Sequence, residues 1–292
     1  MSSNNQSSIK PSAAAPKDTT LPDPSQSESL QESLIQQDAV QADAFITSAS
    51  NSSSYQTAFA AKQYLRTIES LDDFTPIKGY DFDQPFSFQA FLESFATTGI
   101  QASELAKGIE LANKMIDGKY CIFLSFTSNM ISSGIREIIT YLVKHKHVHC
   151  IVTSAGAIEE DVIKTLKPFV LGSFDTPGRV LFEKGVGRIG NIFAPFDRYL
   201  LFEQFMTPFL GSLYQQQQAQ GRPCTGSELL FSLGHALGQL PNHESSFLYW
   251  AAYHRIPVFC PAITDGALGD LMHFQKQRTS DFYLDVVGDH HA

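Results

Sequence analysis

The stretch Tyr120-Cys-Ile-Phe-Leu-Ser-Phe126, running into Thr127-Ser-Asn129, decides the fold. A short, nearly continuous apolar run ends in small polar residues, and a helical pattern over residues 131–145 follows. Such a run is expected of a strand buried on both faces. The pattern returns twice. His149-Cys-Ile-Val-Thr153 leads into Ser154-Ala-Gly156 and a helical stretch carrying Glu159, Glu160 and Ile163. Ile256-Pro-Val-Phe-Cys260 leads into Pro261-Ala-Ile-Thr-Asp265-Gly266, then a helical start through Leu268, Asp270 and Met272. Repeated strand, polar loop and helix predict an α/β fold with an open, mostly parallel sheet.

Working outward, helical patterns lie around residues 88–95 and 103–116, the second with an apolar face of Leu105, Ile109, Leu111, Ala112 and Met115. Residues 166–250 are richer in aromatics and turns. They read as an insertion or covering layer with helices near 201–213 and 227–237, joined by a loop through Tyr214-Gln-Gln-Gln-Gln218 and Gly221-Arg-Pro223. The last strand-like run, Phe282-Tyr-Leu-Asp-Val-Val287, shows neither a crossover nor a neighbour, so the sheet reads as unfinished.

Composition sets the limits. The chain has 292 residues, 43% hydrophobic and 12% aromatic, enough for a sizeable core. Twenty-one Lys and Arg face 30 Asp and Glu, a formal charge of −9 that argues against a nucleic-acid partner. Residues 1–55 are rich in Ser, Gln, Asn, Ala and Pro. Two lysines there face six carboxylates, a balance of −4 that leaves −5 for residues 56–292. This segment is expected to be a disordered, low-complexity tail, with a short helix near residues 30–44. Folded character begins near Tyr64. The opening MSSNNQSSIK lacks a basic start and an apolar h-region. The most apolar long stretch, residues 191–213, contains Asp197, Arg198 and Glu203, so no membrane span is expected. Cys121, Cys150, Cys224 and Cys260 form no C-x-x-C pair and read as reduced thiols of a cytoplasmic protein.

In doubly wound sheets, ligands bind where the loops collect at the carboxyl ends of strands. The three loops here carry Ser128 and Asn129; Ser154 and Gly156 with Glu159 and Glu160; and Asp265 and Gly266 with Asp270. Small residues admit a ligand to the backbone, and helix N-termini offer N–H groups to phosphates. The carboxylates suit ribose hydroxyls or a cationic substrate. The alternative is that Ser128, Asn129 and Asp265 only cap helices, while Glu159 and Glu160 complement a helix dipole. Gly185-Val-Gly187-Arg-Ile-Gly190 matches G-x-G-x-x-G but lacks a clear strand before it and a helix after it, and reads as a connecting loop. His145, His147 and His149 alternate where a helix ends and a strand begins. They read as exposed helix-end cations, and no metal site is expected.

Several longer motifs occur together: Lys78-Gly-Tyr-Asp-Phe82, Phe95-Ala-Thr-Thr-Gly99, Thr127-Ser-Asn-Met-Ile-Ser-Ser-Gly-Ile-Arg-Glu137, Ala155-Gly-Ala-Ile-Glu-Glu-Asp161, Arg188-Ile-Gly-Asn191 and Pro261-Ala-Ile-Thr-Asp-Gly-Ala-Leu-Gly-Asp270. In this order and spacing, the chain resembles the deoxyhypusine synthases over residues 76–287. The resemblance implies a Rossmann-like, NAD-binding α/β domain over residues 56–292. It also implies the family's chemistry. NAD takes a hydride from spermidine, the aminobutyl group is held as an imine on an enzyme lysine, and it passes to a lysine of translation initiation factor 5A.

By that resemblance Ser128, Asn129, Ser132, Ser154, Ala155, Gly156, Glu160 and Asp265 face the NAD cofactor. The family commonly has Thr at the position of Ser154, so the hydroxyl is kept. Glu159, Glu160 and Asp270 face spermidine. Family members continue past the Leu-Asp-Val-Val strand with a Gly-rich segment, a histidine and the nucleophilic lysine, and no lysine follows Lys276 here. The expectation is therefore a domain incomplete at its C-terminus with no catalytic residue of its own. It would be a regulatory subunit that pairs with a full-length synthase in a hetero-oligomeric tetramer. The alternative is a truncated isoform or incomplete gene model of an active synthase. A sirtuin-like deacylase ranks last, for want of a zinc cysteine set and a catalytic histidine motif.

Overall fold

The computed structural model describes residues 71–291. The chain divides into two units, Met1–Pro76 and Ile77–Ala292, and the second carries the fold. The tail expected over residues 1–55, the helix near 30–44 and the onset of order near Tyr64 lie outside the described residues.

The second unit opens with three helices, α1 (Phe88–Glu93), α2 (Phe95–Thr98) and α3 (Ile100–Asp117). The three strand–loop–helix units then appear where the apolar runs place them. β1 (Phe123–Phe126) leads to α4 (Ser128–Ser132) and α5 (Ile135–Lys144). β2 (Cys150–Thr153) leads to α6 (Ala155–Leu166). Much later β7 (Val258–Phe259) leads to α11 (Gly266–Arg278). These strands form one parallel sheet in the order β1-β2-β7, with Phe123 opposite Cys150 and Ile151 opposite Val258.

Between β2 and β7 lie β3 (Val170–Leu171), α7 (Gly178–Glu183), β4 (Val186–Ile189), β5 (Ile192–Pro195), α8 (Phe196–Gln220), β6 (Cys224–Thr225), α9 (Gly226–Leu237) and α10 (Phe247–His254). The core gathers around α6, where Ala157, Ile158, Val162 and Ile163 are fully buried. Phe202, Met206 and Leu210 of α8 belong to the same apolar cluster, as do Leu229, Leu230 and Leu233 of α9 and Phe247 and Leu248 of α10. Among the described residues no helix is long and apolar enough to cross a membrane.

Five local expectations are corrected. β1 is not buried on both faces: it is an edge strand with alternating exposure, and Phe123 is 66% exposed. Only the central β2 has the continuous burial that its sequence suggests. The helix expected over residues 131–145 is two helices, because the chain turns extended at Ser133 before α5 begins.

The glycine-rich decoy is a hairpin rather than a loop. β4 turns through Gly190 (φ +60°) and Asn191 into β5, and β3 pairs with the far side of β5. A two-residue hairpin turn of this kind wants a positive φ that glycine supplies cheaply. The glutamine run is helical: α8 continues to Gln220 and ends on Gly221 in the left-handed region. Tertiary partners explain it. Gln217 Nε2 donates to Tyr283 O at 2.9 Å, while Tyr214 Oη and Gln218 Nε2 donate to Asp281 at 2.7 and 2.9 Å. Finally, β8 (Leu284–Asp285) does have a neighbour, since it pairs in parallel with β6. A two-residue strand such as β6 carries no periodicity by which it could be recognised.

Candidate functional site

The carboxyl ends of β1, β2 and β7 deliver the three expected loops to one place, and missing Cβ atoms let them touch. A Cβ on Gly156 would lie 2.8 Å from Ser128 Cβ, so the first two loops meet there. A Cβ on Gly266 (φ +74°) would lie 2.8 Å from Glu159 Oε2, so the second and third meet as well. Ser132 Oγ donates to Glu160 Oε2, tying α4 to α6. Ser128, Ser132, Ser154, Ala155, Gly156, Glu159, Glu160, Asp265 and Gly266 thus share one region of the sheet. Asn129 and Asp270 are exposed, and the charge of Asp270 reaches Glu159.

Capping of their own helices does not account for Ser128, Asn129 or Asp265. Thr127, Ser154 and Asp265 occupy the N-cap positions of α4, α6 and α11, and none of them makes a side-chain cap bond. Ser128 and Asn129 lie inside α4. Elsewhere cap residues do cap: Ser87 and Ser246 accept from backbone N–H groups, and Thr225 forms a full capping box with Glu228. No acidic residue stands in the first turn of α6, so Glu159 and Glu160 do not serve its dipole. Ser154 Oγ is buried without a partner, a state that ordinarily calls for a ligand or water.

The two glutamates are electrostatically unlike ordinary surface carboxylates. Glu160 is 6% exposed, and its pKa is pushed up to about 7. Burial is the main cause and the Glu159 charge adds to it, while the Ser132 hydroxyl and Lys164 oppose it. Burial also raises Glu159, against the pull of the Leu268 and Ala267 amides. The Glu159 carboxylate accepts from Leu268 N at 3.0 Å. Tyr199 of α8 stands near both: burial first, then the Glu160 and Glu159 charges, raise its phenol pKa. Nothing in the sequence pattern marks Tyr199, because its neighbours arrive from a different element. Burial pushes the Cys260 thiol to about 12, with Asp265 contributing, which makes it a core thiol rather than a nucleophile.

Lys164 and the Arg136–Asp161 pair support the site from behind. Lys164 Nζ donates to Ile131 O, Ser132 O and Ser133 O at 2.7, 3.1 and 2.9 Å, closing the C-terminal end of α4. Arg136 and Asp161 form a buried ion pair, and Asp161 Oδ2 also accepts from Ser246 Oγ at 2.6 Å at the start of α10. Sequence reading passes over both, although Arg136 and Asp161 lie within quoted motifs.

The histidine tract is set into local packing. His149 Nδ1 accepts from Ile122 N at 3.1 Å, and His145 and His147 pack by Tyr141 at 4.4 and 6.0 Å between ring centres. Among the described residues no group of three potential metal ligands occurs.

A dinucleotide suits this arrangement. Ala157 N and Ile158 N are taken up by Ser154 O, which leaves the Ala155 and Gly156 amides at the start of α6; Ser154 offers an unpaired hydroxyl, and Gly156 keeps the backbone open. Phosphates would be held by those donors, and ribose hydroxyls by exposed Asp265.

Comparison with known proteins agrees. The family model for deoxyhypusine synthase matches residues 90–292. The chain is 41% identical over 263 residues to a deoxyhypusine synthase of Arabidopsis thaliana, covering 82% of this chain and 69% of the relative. It is equally 41% identical over 263 residues to the Brassica napus deoxyhypusine synthase, with the same coverage of 82% and 69%. An Entamoeba histolytica crystal structure, titled as a candidate deoxyhypusine synthase, superposes with a TM-score of 0.55 at 31% identity, covering 73% of this chain and 74% of that one. The chain belongs to the deoxyhypusine synthase family.

Proposed function

We propose that this chain supplies NAD- and spermidine-facing loops to the hypusine modification of translation initiation factor 5A in the cytoplasm. In this reading it acts as a non-catalytic subunit beside a full-length synthase chain in a hetero-oligomer. One observation carries the proposal. On α6, the anion-facing start at Ser154, Ala155 and Gly156 precedes Glu160 by four to six positions, a rise of about 6–9 Å. A dinucleotide and an ammonium-bearing chain held there would be neighbours, as transfer between them requires. Bound NAD would supply the hydride acceptor. Ser128, Asn129, Ser132, Ser154, Ala155, Gly156 and Asp265 would hold it, while Glu160 and Asp270, with Glu159 between them and the α11 start, would form the polyamine wall. Buried carboxylates favour a cation that brings its own charge.

Lys164, whose charge reaches Glu160, supports the non-catalytic reading. Its three donors are committed to three carbonyls, so it offers no free amine for a covalent imine.

Calorimetry of the purified chain with NAD and with spermidine, followed by deoxyhypusine assays with and without co-expressed full-length synthase, tests this. Expected are binding of both ligands, no product from the chain alone, and a rate increase in a stable complex. Absence of both bindings overturns the site. Product from the chain alone overturns the non-catalytic role.

A further inference from the structure

We infer that Glu159 is a positioning residue: it caps α11 from the neighbouring helix and so leaves the Asp265 carboxylate free for the ligand. This deepens the proposed function and rests on it.

Asp265 has the backbone of an N-cap residue, φ −75° and ψ 146°, and the residue type that ordinarily caps. Its side chain makes no cap bond, yet the helix start is served. Glu159 Oε2 accepts from Leu268 N at 3.0 Å, the third residue of α11, which is where an N-cap oxygen normally bonds. Gly266 makes the intrusion possible. A Cβ there would sit 2.8 and 3.0 Å from the two Glu159 oxygens, and the positive φ of +74° already excludes most side chains. The capping duty has moved from the local residue to one on α6.

Two consequences follow. The separation of the second and third loops is set by one side chain, and Asp265 stays exposed, with its oxygens available to hydroxyl donors. Only Oε2 of Glu159 is engaged by Leu268 N, so the capping duty stands beside the polyamine-facing place of its carboxylate.

The neutral isostere separates the two roles, because Gln keeps the accepting oxygen and loses the charge. Glu159→Gln is expected to hold hydrogen exchange at the Ala267 and Leu268 amides within about threefold of wild type. Glu159→Ala is expected to weaken NAD binding by roughly fivefold to tenfold. It should also speed hydrogen exchange at the Ala267 and Leu268 amides by a similar factor, and Asp265→Asn should match it in NAD binding while leaving that exchange unchanged. The inference is overturned if Glu159→Gln speeds exchange at Ala267 and Leu268 as much as Glu159→Ala does, or if Glu159→Ala leaves that exchange unchanged. Were wild type to bind neither ligand, the proposed function would fall, and the exchange comparison would still decide who caps α11.

Discussion

Arg136 Nε lies 2.8 Å from Asp161 Oδ1 in a pair whose side chains are 4% and 0% exposed. The guanidinium also donates to Asp161 O at 3.0 Å and Thr165 Oγ1 at 2.6 Å. The second Asp161 oxygen takes Ser246 Oγ and Leu248 N. One carboxylate therefore joins α5, α6 and α10 behind the ligand loops. Arg136→Ala leaves a buried charge unpaired and should cost about 3–5 kcal/mol in denaturant unfolding. In a double-mutant cycle with Asp161→Ala, the two losses should be strongly non-additive.

Glu160 makes stability depend on pH in the direction opposite to a salt-bridged carboxylate. Its pKa is near 7 in the fold against an ordinary 4.5, so the folded state binds the proton more tightly. The destabilisation is absent below about pH 4.5, grows as pH rises, and is complete above about pH 7. Its size is on the order of 2–3 kcal/mol. Glu160→Gln should flatten this part of the stability profile measured by urea titration from pH 5 to 8.

The same group predicts the pH dependence of polyamine binding. A cation favours the ionised form, so binding below pH 7 must expel a proton. Spermidine affinity should rise with pH and level off above about 7. Calorimetry in two buffers of different ionisation heat should register the released proton, and Glu160→Gln should abolish it.

Gly156 is a packing requirement as well as an approach for ligand. The Cβ of Gly156→Ala would meet Ser128 Cβ at 2.8 Å and Oγ at 3.2 Å. Overpacking of this kind costs about 1–3 kcal/mol. NAD affinity should fall on the order of tenfold while far-UV circular dichroism stays unchanged. Ser128→Gly, which removes the obstructing atoms, should relieve the strain in the double variant and raise its melting temperature above that of Gly156→Ala alone.

Lys164→Met removes the donor to three carbonyls at the end of α4 and should lower stability by about 1–3 kcal/mol. Because α4 carries Ser132, the variant should also loosen the hydrogen bond to Glu160. A melting curve checks the first effect and the spermidine calorimetry the second. If the Lys164 amine instead formed a covalent adduct, borohydride treatment with NAD and spermidine would label it; no label is expected.

The three parallel strands and the ligand loops can be read from the chain because each is local. An apolar run of a few residues, a polar break and a helical period need nothing beyond their neighbours in sequence. That is why the loops carrying Ser128, Ser154, Gly156, Glu160 and Asp265 can be placed in advance. Other features depend on distant partners. The glutamine run reads as a loop until Tyr283 O and Asp281 accept its amides. The β1 run reads as fully buried, since periodicity alone does not reveal that the strand lies at a sheet edge.

The sequence by itself determined the parallel α/β class, the three loops and the residue types in them, because short-range apolar patterning and small-residue breaks encode these directly. Tertiary structure alone decided what each polar residue does. Asp265 looks like a cap and makes no cap bond, Glu159 accepts from an amide of another helix, and Lys164 and Asp161 prove to be ties between helices. The physical reason is that a polar side chain takes its role from the partner at hydrogen-bonding distance, and here those partners lie up to 109 positions away along the chain.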